Sequence, residues 1–489
     1  MTTERAQLDG LTSTIGQILP SLEKFLRFEG EDPGRERSVW LAGLREPLPQ
    51  TGQGAQAVLD ALNKFYIPYG LRIGHPGFAG WITTGPTTIP AVAAFAANIA
   101  GAQRWWISPS NFVEVQALRW LAQLHGLPDH FEGAFVTGGS LANLVCIAAA
   151  RQYAGEKRGV DVAQDGWTLP SPRLYGGVHT HHVLMRACGV TGLGRRALRL
   201  ISVDREQRID LDELRRTIDQ DIASGCTPIA VVASAGDVNT GTIDPIDEMR
   251  VIAHERGIWF HVDGAYGSYG VLDERIRPQY GEFGKIDSLT TDPHKWMNAP
   301  LGCGAAFVRD GGLLQRTFAL EPTPFLPPAD PIAEDVISPF MGLGEGNLDF
   351  SVDQSAPGAR GAAVWAILKE IGVEGMRDRV KRHCDMARHV ARRIGETAGF
   401  ELMTRPSLSL VCFRYHPSGI DDEETLKRLN QAIFAGVARR GRTVCSFTVL
   451  GGRWCLRPCW VGARSTLADA DALVDEVSAV AQVALQQLR

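Results

Sequence analysis

The chain has 489 residues, 44% of them hydrophobic and 21% charged, with a formal net charge of −5. That length predicts two or three domains with room for a large core. The mild negative charge offers no basic field for a phosphate backbone, which excludes nucleic acid as a partner and points to a small molecule.

Nine cysteines stand without any C-x-x-C pair. An odd count at irregular spacing predicts neither a disulfide framework nor a structural zinc site and suits a reducing cytoplasm. Cys455 and Cys459 come nearest to a pair and read as core residues. The opening "MTTERAQLDGL" lacks a basic stretch followed by an apolar one, so no secretory signal is expected. The most apolar segment, "IPAVAAFAANIAGA", is too short to cross a bilayer. The expectation is a cytoplasmic protein with no membrane partner.

In chain order, residues 1–74 predict a helical arm. Leu11, Ile15, Ile18, Leu19, Leu22, Phe25 and Leu26 recur at helical spacing, and so short an arm needs another surface to cover its stripe. Residues 75–375 predict the main α/β domain. The runs "GAFVTGG", "RLYGGV", "ALRLISV", "PIAVVASAG", "GIWFHVDGAYG" and "GCGAAFV" end in Gly, Asp or Ser and alternate with segments of helical length, the pattern of a mostly parallel sheet clothed in helices. Within it, the Pro- and Gly-rich residues 311–360 predict a long active-site loop. Residues 376–489 predict a small α+β domain with strands near "LSLVCFRY" and "RWCLRPCWV" and an amphipathic terminal helix.

Four short patterns carry chemistry. "FVTGGSLANL" is a strand, a Gly-Gly-Ser turn and a helix start; Ser140 there is either an N-cap or part of a phosphate cradle built from Gly139 and free helix N–H groups. "HVDGAYG" leaves Asp263 just past a buried strand, either in a structural hydrogen bond or paired with a protonated heterocycle nitrogen. "HTHHVLMRA" holds His179, His181 and His182 at spacings that favour stacking on a flat ligand over metal binding. "DPHKW" aims Lys295 toward an apolar strand, where an ammonium needs pairing or covalent use. Together they meet the needs of pyridoxal 5'-phosphate: a cradle, a carboxylate for the ring nitrogen, a stacking ring and a Schiff-base lysine.

In order, "HPGFAGWITTGPT", "SPSNFVEVQALRWLAQLHGLP", "TGGSLANL", "HVDGAYG" and "DPHKW" resemble the motifs of the group II pyridoxal-phosphate-dependent decarboxylases, the family of aromatic-L-amino-acid and glutamate decarboxylases. The resemblance spans roughly 75–380. It implies the fold type I architecture, an amino-acid substrate, and a homodimer with its active site at the subunit interface. By position, it implies that Lys295 binds the cofactor covalently, Asp263 pairs with the pyridine nitrogen, and His181 stacks on the ring. Gly139, Ser140 and His294 would hold the phosphate, Ala265 would lie under the ring, and Thr84 would meet the substrate carboxylate. Trp81, Trp105, Trp106 and Phe112 fall where the family lines its substrate pocket, which favours an aromatic or bulky apolar amino acid.

Three departures stand out. Asp237 in "SAGDVNTG" replaces a threonine beside the cofactor, and Asp292 stands where several members have asparagine. The family's mobile loop also carries a proton-donating tyrosine, whereas no tyrosine lies between Tyr280 and Tyr415 here; Leu348 or Phe350 falls near its position. In relatives that change accompanies aldehyde synthesis. Tyr66, Tyr69, His182 or a partner subunit are alternative proton sources. The sequence therefore predicts an amino-acid decarboxylase, with an aldehyde synthase and a non-catalytic regulatory relative as alternatives.

Overall fold

Strand alternation sorts the buried side chains onto two faces of one sheet. In the computed structural model, which describes residues 10–29, 36–101, 108–318 and 359–488, Ala305 and Phe307 enter one core while Ala306 and Val308, one residue out of step, enter another. A sheet apolar on both faces must be covered on both.

The strands are β1 (Phe78–Ala79), β2 (Glu132–Val136), β3 (Pro172–Gly177), β4 (Leu198–Ile201), β5 (Thr227–Ser234), β6 (Trp259–Asp263), β7 (Ser288–Thr291), β8 (Gly304–Val308), β9 (Phe400–Leu402), β10 (Phe413–Tyr415), β11 (Val444–Leu450) and β12 (Arg453–Arg457). Seven of them form the large sheet in the order β2-β8-β7-β6-β5-β3-β4. Neighbours from β7 through β4 pair parallel, and β8 runs antiparallel to both β2 and β7. Helix Gly139–Glu156 covers one face; helices Pro109–Leu124, Ile246–Glu255 and Ala359–Glu396 cover the other.

The smaller sheet has the order β1-β11-β12-β10-β9 and a core of its own with helices Glu423–Arg440 and Leu467–Leu488. Its edge strand β1 pairs parallel to β11 through Phe78 and Val444. Residues inside the expected 75–375 domain thus hydrogen-bond into the C-terminal sheet. The long helix Ala359–Glu396 kinks at Gly372, where φ is 62°.

All six expected strands of the main domain are present. The one strand of the large sheet left out, β7, is "SLTT", four buried residues with hydroxyls at three of them. Ser288 Oγ accepts from Trp259 Nε1 at 2.8 Å and Thr291 Oγ1 lies 2.9 Å from Ser268 Oγ, so the polar atoms are satisfied inside the sheet and hydropathy does not announce the strand. In the expected 311–360 loop, Gly311–Phe318 is helical; Leu348 and Phe350 lie outside the described residues, as do Trp105 and Trp106. The arm does form a helix, Leu11–Arg27, which leaves Leu11, Leu19 and Leu26 exposed.

Among the described residues no helix is long and apolar enough to cross a membrane, and no group of His, Cys, Asp and Glu is placed to hold a metal ion.

Candidate active site

Parallel strands bring their carboxyl ends to one edge, where loops with free polar groups meet. Ser234 ends β5, Asp263 ends β6, Asp292 follows β7, and the Gly138–Gly139 turn follows β2. They line a single cavity of about 750 Å³ together with His181, Ala265, His294 and Lys295.

The turn after β2 depends on glycine for two separate reasons. Gly138 has φ 142°, which only glycine adopts freely. A Cβ on Gly139 would lie 2.8 Å from Asp292 Oδ2 and 3.1 Å from the Ala265 Cβ. The bare backbone leaves a recess at the N-terminus of helix Gly139–Glu156, whose N-cap makes no side-chain hydrogen bond. Ser140 is therefore not the cap; it is an exposed wall residue of the cavity. His294 donates from Nδ1 to the Cys303 carbonyl at 2.6 Å, and its Nε2 is 3.9 Å from Asp292 Oδ2.

Lys295 Nζ lies 3.0 Å from Asp292 Oδ2, with the lysine side chain 19% and the aspartate 2% exposed. The ammonium is thus paired, and the apolar residues after it face elsewhere. Trp296 is buried and stacks on Tyr266 at 5.3 Å, its Nε1 donating to His383 Nδ1 at 2.8 Å. Asn298, left-handed at φ 62°, closes the turn by donating to the carbonyls of Lys295, Trp296 and Val461.

Asp263 accepts the Ala265 N–H at 3.2 Å and stays partly open to the cavity. Burial lowers the pKa of His181, with Asp263 opposing the shift, so its imidazole is favoured neutral at pH 7. The ring stacks on exposed His182 at 4.3 Å.

Two expected residues sit differently from their motif positions. Asp237 lines the cavity, but its carboxylate faces its own loop: Oδ1 accepts the N–H groups of Asn239 at 2.7 Å and Thr240 at 3.0 Å, and Oδ2 accepts Thr242 N–H at 3.0 Å and the Thr240 hydroxyl. Thr84 is buried beside Gly462 and is not a wall of the cavity. Trp81 is a wall, exposed, with φ 50°.

The sequence reading missed Arg457. Buried at 4% exposure, it lines the cavity from β12, donates from Nη1 to Ser446 Oγ at 2.7 Å, and its buried Nε has no partner among the described residues. A guanidinium inside the apolar run "RWCLRPCWV" was the available signal. Ile82 and Phe447 also line the cavity.

A glycine-lined recess at a helix N-terminus suits a phosphate, and a lysine amine and a strand-end carboxylate in the same cavity suit a carbonyl-bearing heterocycle: the fold and site define a pyridoxal-phosphate enzyme. Residues 41–416 match the model of the pyridoxal-dependent decarboxylase conserved domain, and the chain belongs to that family, the carboxy-lyases that use pyridoxal 5'-phosphate. It is 27% identical to an aromatic-L-amino-acid decarboxylase of Bacillus atrophaeus, covering 90% of this chain and 88% of that one. It is also 27% identical to the L-2,4-diaminobutyrate decarboxylase of Rhizobium meliloti (strain 1021), over 89% and 84%. The crystal structure of Oryza sativa TDC with PLP and tryptamine shares the fold at a TM-score of 0.85 and 21% identity, over 97% and 98% of the two chains.

Proposed function

We propose that this enzyme decarboxylates an aromatic or bulky apolar L-amino acid to the amine and carbon dioxide. The observation that carries the reading is the convergence of Lys295, Asp263 and the Gly138–Gly139 recess on one cavity. Pyridoxal phosphate, when bound, supplies an aldehyde that condenses with amines and a ring that delocalises the electron pair left by a departing carboxylate.

Each residue then has one task. The first-turn N–H groups at Gly139 and Ser140, with His294, take the phosphate. Lys295 would give the amine that holds the aldehyde. Asp263 keeps a proton on the ring nitrogen, His181 offers a flat neutral ring, and Ala265 keeps the adjoining wall small. Arg457, a guanidinium on the cavity wall where Thr84 has no part, is better suited than Thr84 to the substrate carboxylate. Holding that carboxylate selects which bond to the α-carbon breaks. Trp81, Ile82 and Phe447 give the substrate side chain an apolar wall. His182, exposed beside His181, is a candidate proton source for the α-carbon.

A second reading rests on the absence of any tyrosine from residues 281 to 414: oxygen and water are consumed and the products are carbon dioxide, aldehyde, ammonia and hydrogen peroxide. Purified holoenzyme offered a panel of L-amino acids under air decides between them. Amine and carbon dioxide without oxygen uptake are expected, and Lys295→Ala abolishes both turnover and the absorption band of the covalent lysine–cofactor link. Aldehyde and ammonia with stoichiometric oxygen uptake would establish the second reading; full activity in Lys295→Ala would overturn both.

We further infer a homodimer. Ile89, Val92, Phe95 and Ile99 lie along one side of helix Thr88–Ala100 and are all exposed, while the helix packs its other side on Ala359–Glu396. An apolar stripe of this kind calls for a protein surface, and a second copy supplies one.

A further inference from the structure

Four buried side chains, of which only Asn143 borders the cavity, form a continuous chain of hydrogen bonds through the sheet. Trp259 Nε1 is 2.8 Å from Ser288 Oγ. Ser288 Oγ is 2.8 Å from His261 Nδ1, His261 Nε2 is 3.0 Å from Asn143 Oδ1, and Asn143 Nδ2 is 2.9 Å from the Gly139 carbonyl. Trp259, Ser288, His261 and Asn143 are each 1% exposed or less.

Donor and acceptor chemistry permits one proton arrangement. The Gly139 carbonyl can only accept, so Asn143 must turn its amide N–H to it and its oxygen to His261. His261 Nε2 must then carry the hydrogen. Burial drives the His261 pKa down to about 4, so the ring is neutral and Nδ1 is left as an acceptor for the Ser288 hydroxyl. Ser288 in turn accepts from Trp259, whose indole can only donate. Every bond points the same way, from β6 toward the helix.

The last acceptor is the consequential one. The Gly139 carbonyl and the Ser140 N–H belong to the same peptide unit, and a donor on the carbonyl oxygen polarises the N–H at its other end. That N–H is one of the unpaired first-turn donors of helix Gly139–Glu156. His261 also precedes Asp263 by two residues, so both side chains project from the same face of β6.

We propose that Asn143 and His261 are positioning residues for the cofactor phosphate: the chain locks the Gly139–Ser140 peptide and strengthens its N–H toward the anion. This rests on the reading of Gly139 and Ser140 as the phosphate cradle. Neither residue is adjacent in sequence to the turn; Asn143 borders the cavity with its amide committed to the Gly139 carbonyl and to His261, and His261 lies behind it.

The test compares two ligands of the apoenzyme, pyridoxal 5'-phosphate and pyridoxal, which differ by the phosphate alone. Binding is followed by absorbance, with thermal unfolding of each variant as a folding control. Asn143→Asp places an oxygen against the Gly139 carbonyl and should weaken pyridoxal phosphate about tenfold or more while changing pyridoxal binding little. His261→Leu should do the same. His261→Gln, whose amide can still donate toward Asn143, should recover most of the loss. Equal losses for both ligands, or no loss for either, would overturn the proposal, and so would a failure of His261→Gln to differ from His261→Leu. If the wild type itself binds the two ligands equally, the cradle reading fails instead.

Discussion

A single carboxylate shows how a residue can sit beside a ligand cavity and still work for its own loop. All four hydrogen bonds to the Asp237 side chain come from Asn239, Thr240 and Thr242. Asn239 then bridges to the small sheet, its Oδ1 accepting from Thr448 Oγ1 at 3.1 Å and its carbonyl facing Cys412 Sγ at 3.3 Å. Asp237→Ala should therefore cost roughly 3 kcal/mol in urea unfolding, because buried donors lose their acceptor. Asp237→Asn, which keeps one acceptor oxygen, should cost about half as much on the same grounds. A changed cofactor spectrum at unchanged stability would instead mark Asp237 as a cofactor contact. The threonine-to-aspartate change was legible in the sequence, but its purpose was not, since the donors that saturate it come from a turn whose shape depends on Gly241 at φ 73°. Lys295, Asp263 and Gly139 were legible for the opposite reason. Asp263 ends a strand, Gly139 starts a helix and Lys295 sits in the turn that follows β7, places where the local pattern fixes the direction the chain takes.

Among the elements, helix Thr88–Ala100 was read in the sequence only as apolar and too short for a membrane. Its alanines hide a division of labour: Ile89, Val92, Phe95 and Ile99 face outward, while its other side meets the long kinked helix. Charges on the outer side should break a dimer without unfolding the protomer, because those positions contribute little to the protomer's own core. Phe95→Glu with Ile99→Lys is expected to halve the mass in sedimentation and keep the far-ultraviolet circular dichroism. A mass unchanged from wild type would move the interface elsewhere. Strand β7 illustrates the converse limit on legibility. Its hydroxyls are paired by Trp259 and Ser268 on other segments, so nothing within "SLTT" reveals that it is a central strand. Arg457 escaped notice in the same way: its position on β12 could be read, but not that β12 borders the cavity.

For the molecule as a whole, three buried imidazoles set the response to acid. Burial lowers the pKa of His125 to about 3, of His261 to about 4 and of His383 to about 3. In the unfolded chain each takes a proton near pH 6.5, so below that value the unfolded state binds more protons and stability falls as pH falls. Asp244 acts against them. Burial raises its carboxyl to about 6, so the folded state takes that proton first and gains stability as pH drops through 6. Three groups against one, at about 1.4 kcal/mol per proton per pH unit, give a net loss of roughly 3 kcal/mol between about pH 7.5 and 5.5. Thermal unfolding of the apoprotein across that range should show the midpoint falling toward the acid side; a flat or rising midpoint would mean that the imidazoles are not held neutral.

The turn closed by Asn298 has a bearing on protein engineering. Asn298 donates to Val461 and accepts from Ala463 N–H at 2.6 Å, so the peptide that follows Lys295 is fastened to the C-terminal unit. A chimaera that exchanges residues 376–489 for those of another protein would reset the aim of the lysine unless the backbone at 461–463 superimposes. Grafting new substrate specificity through β11 and β12 is consequently safest when the splice leaves that short segment native, and a split version of the chain would have to restore the same clasp before the amine could point into the cavity.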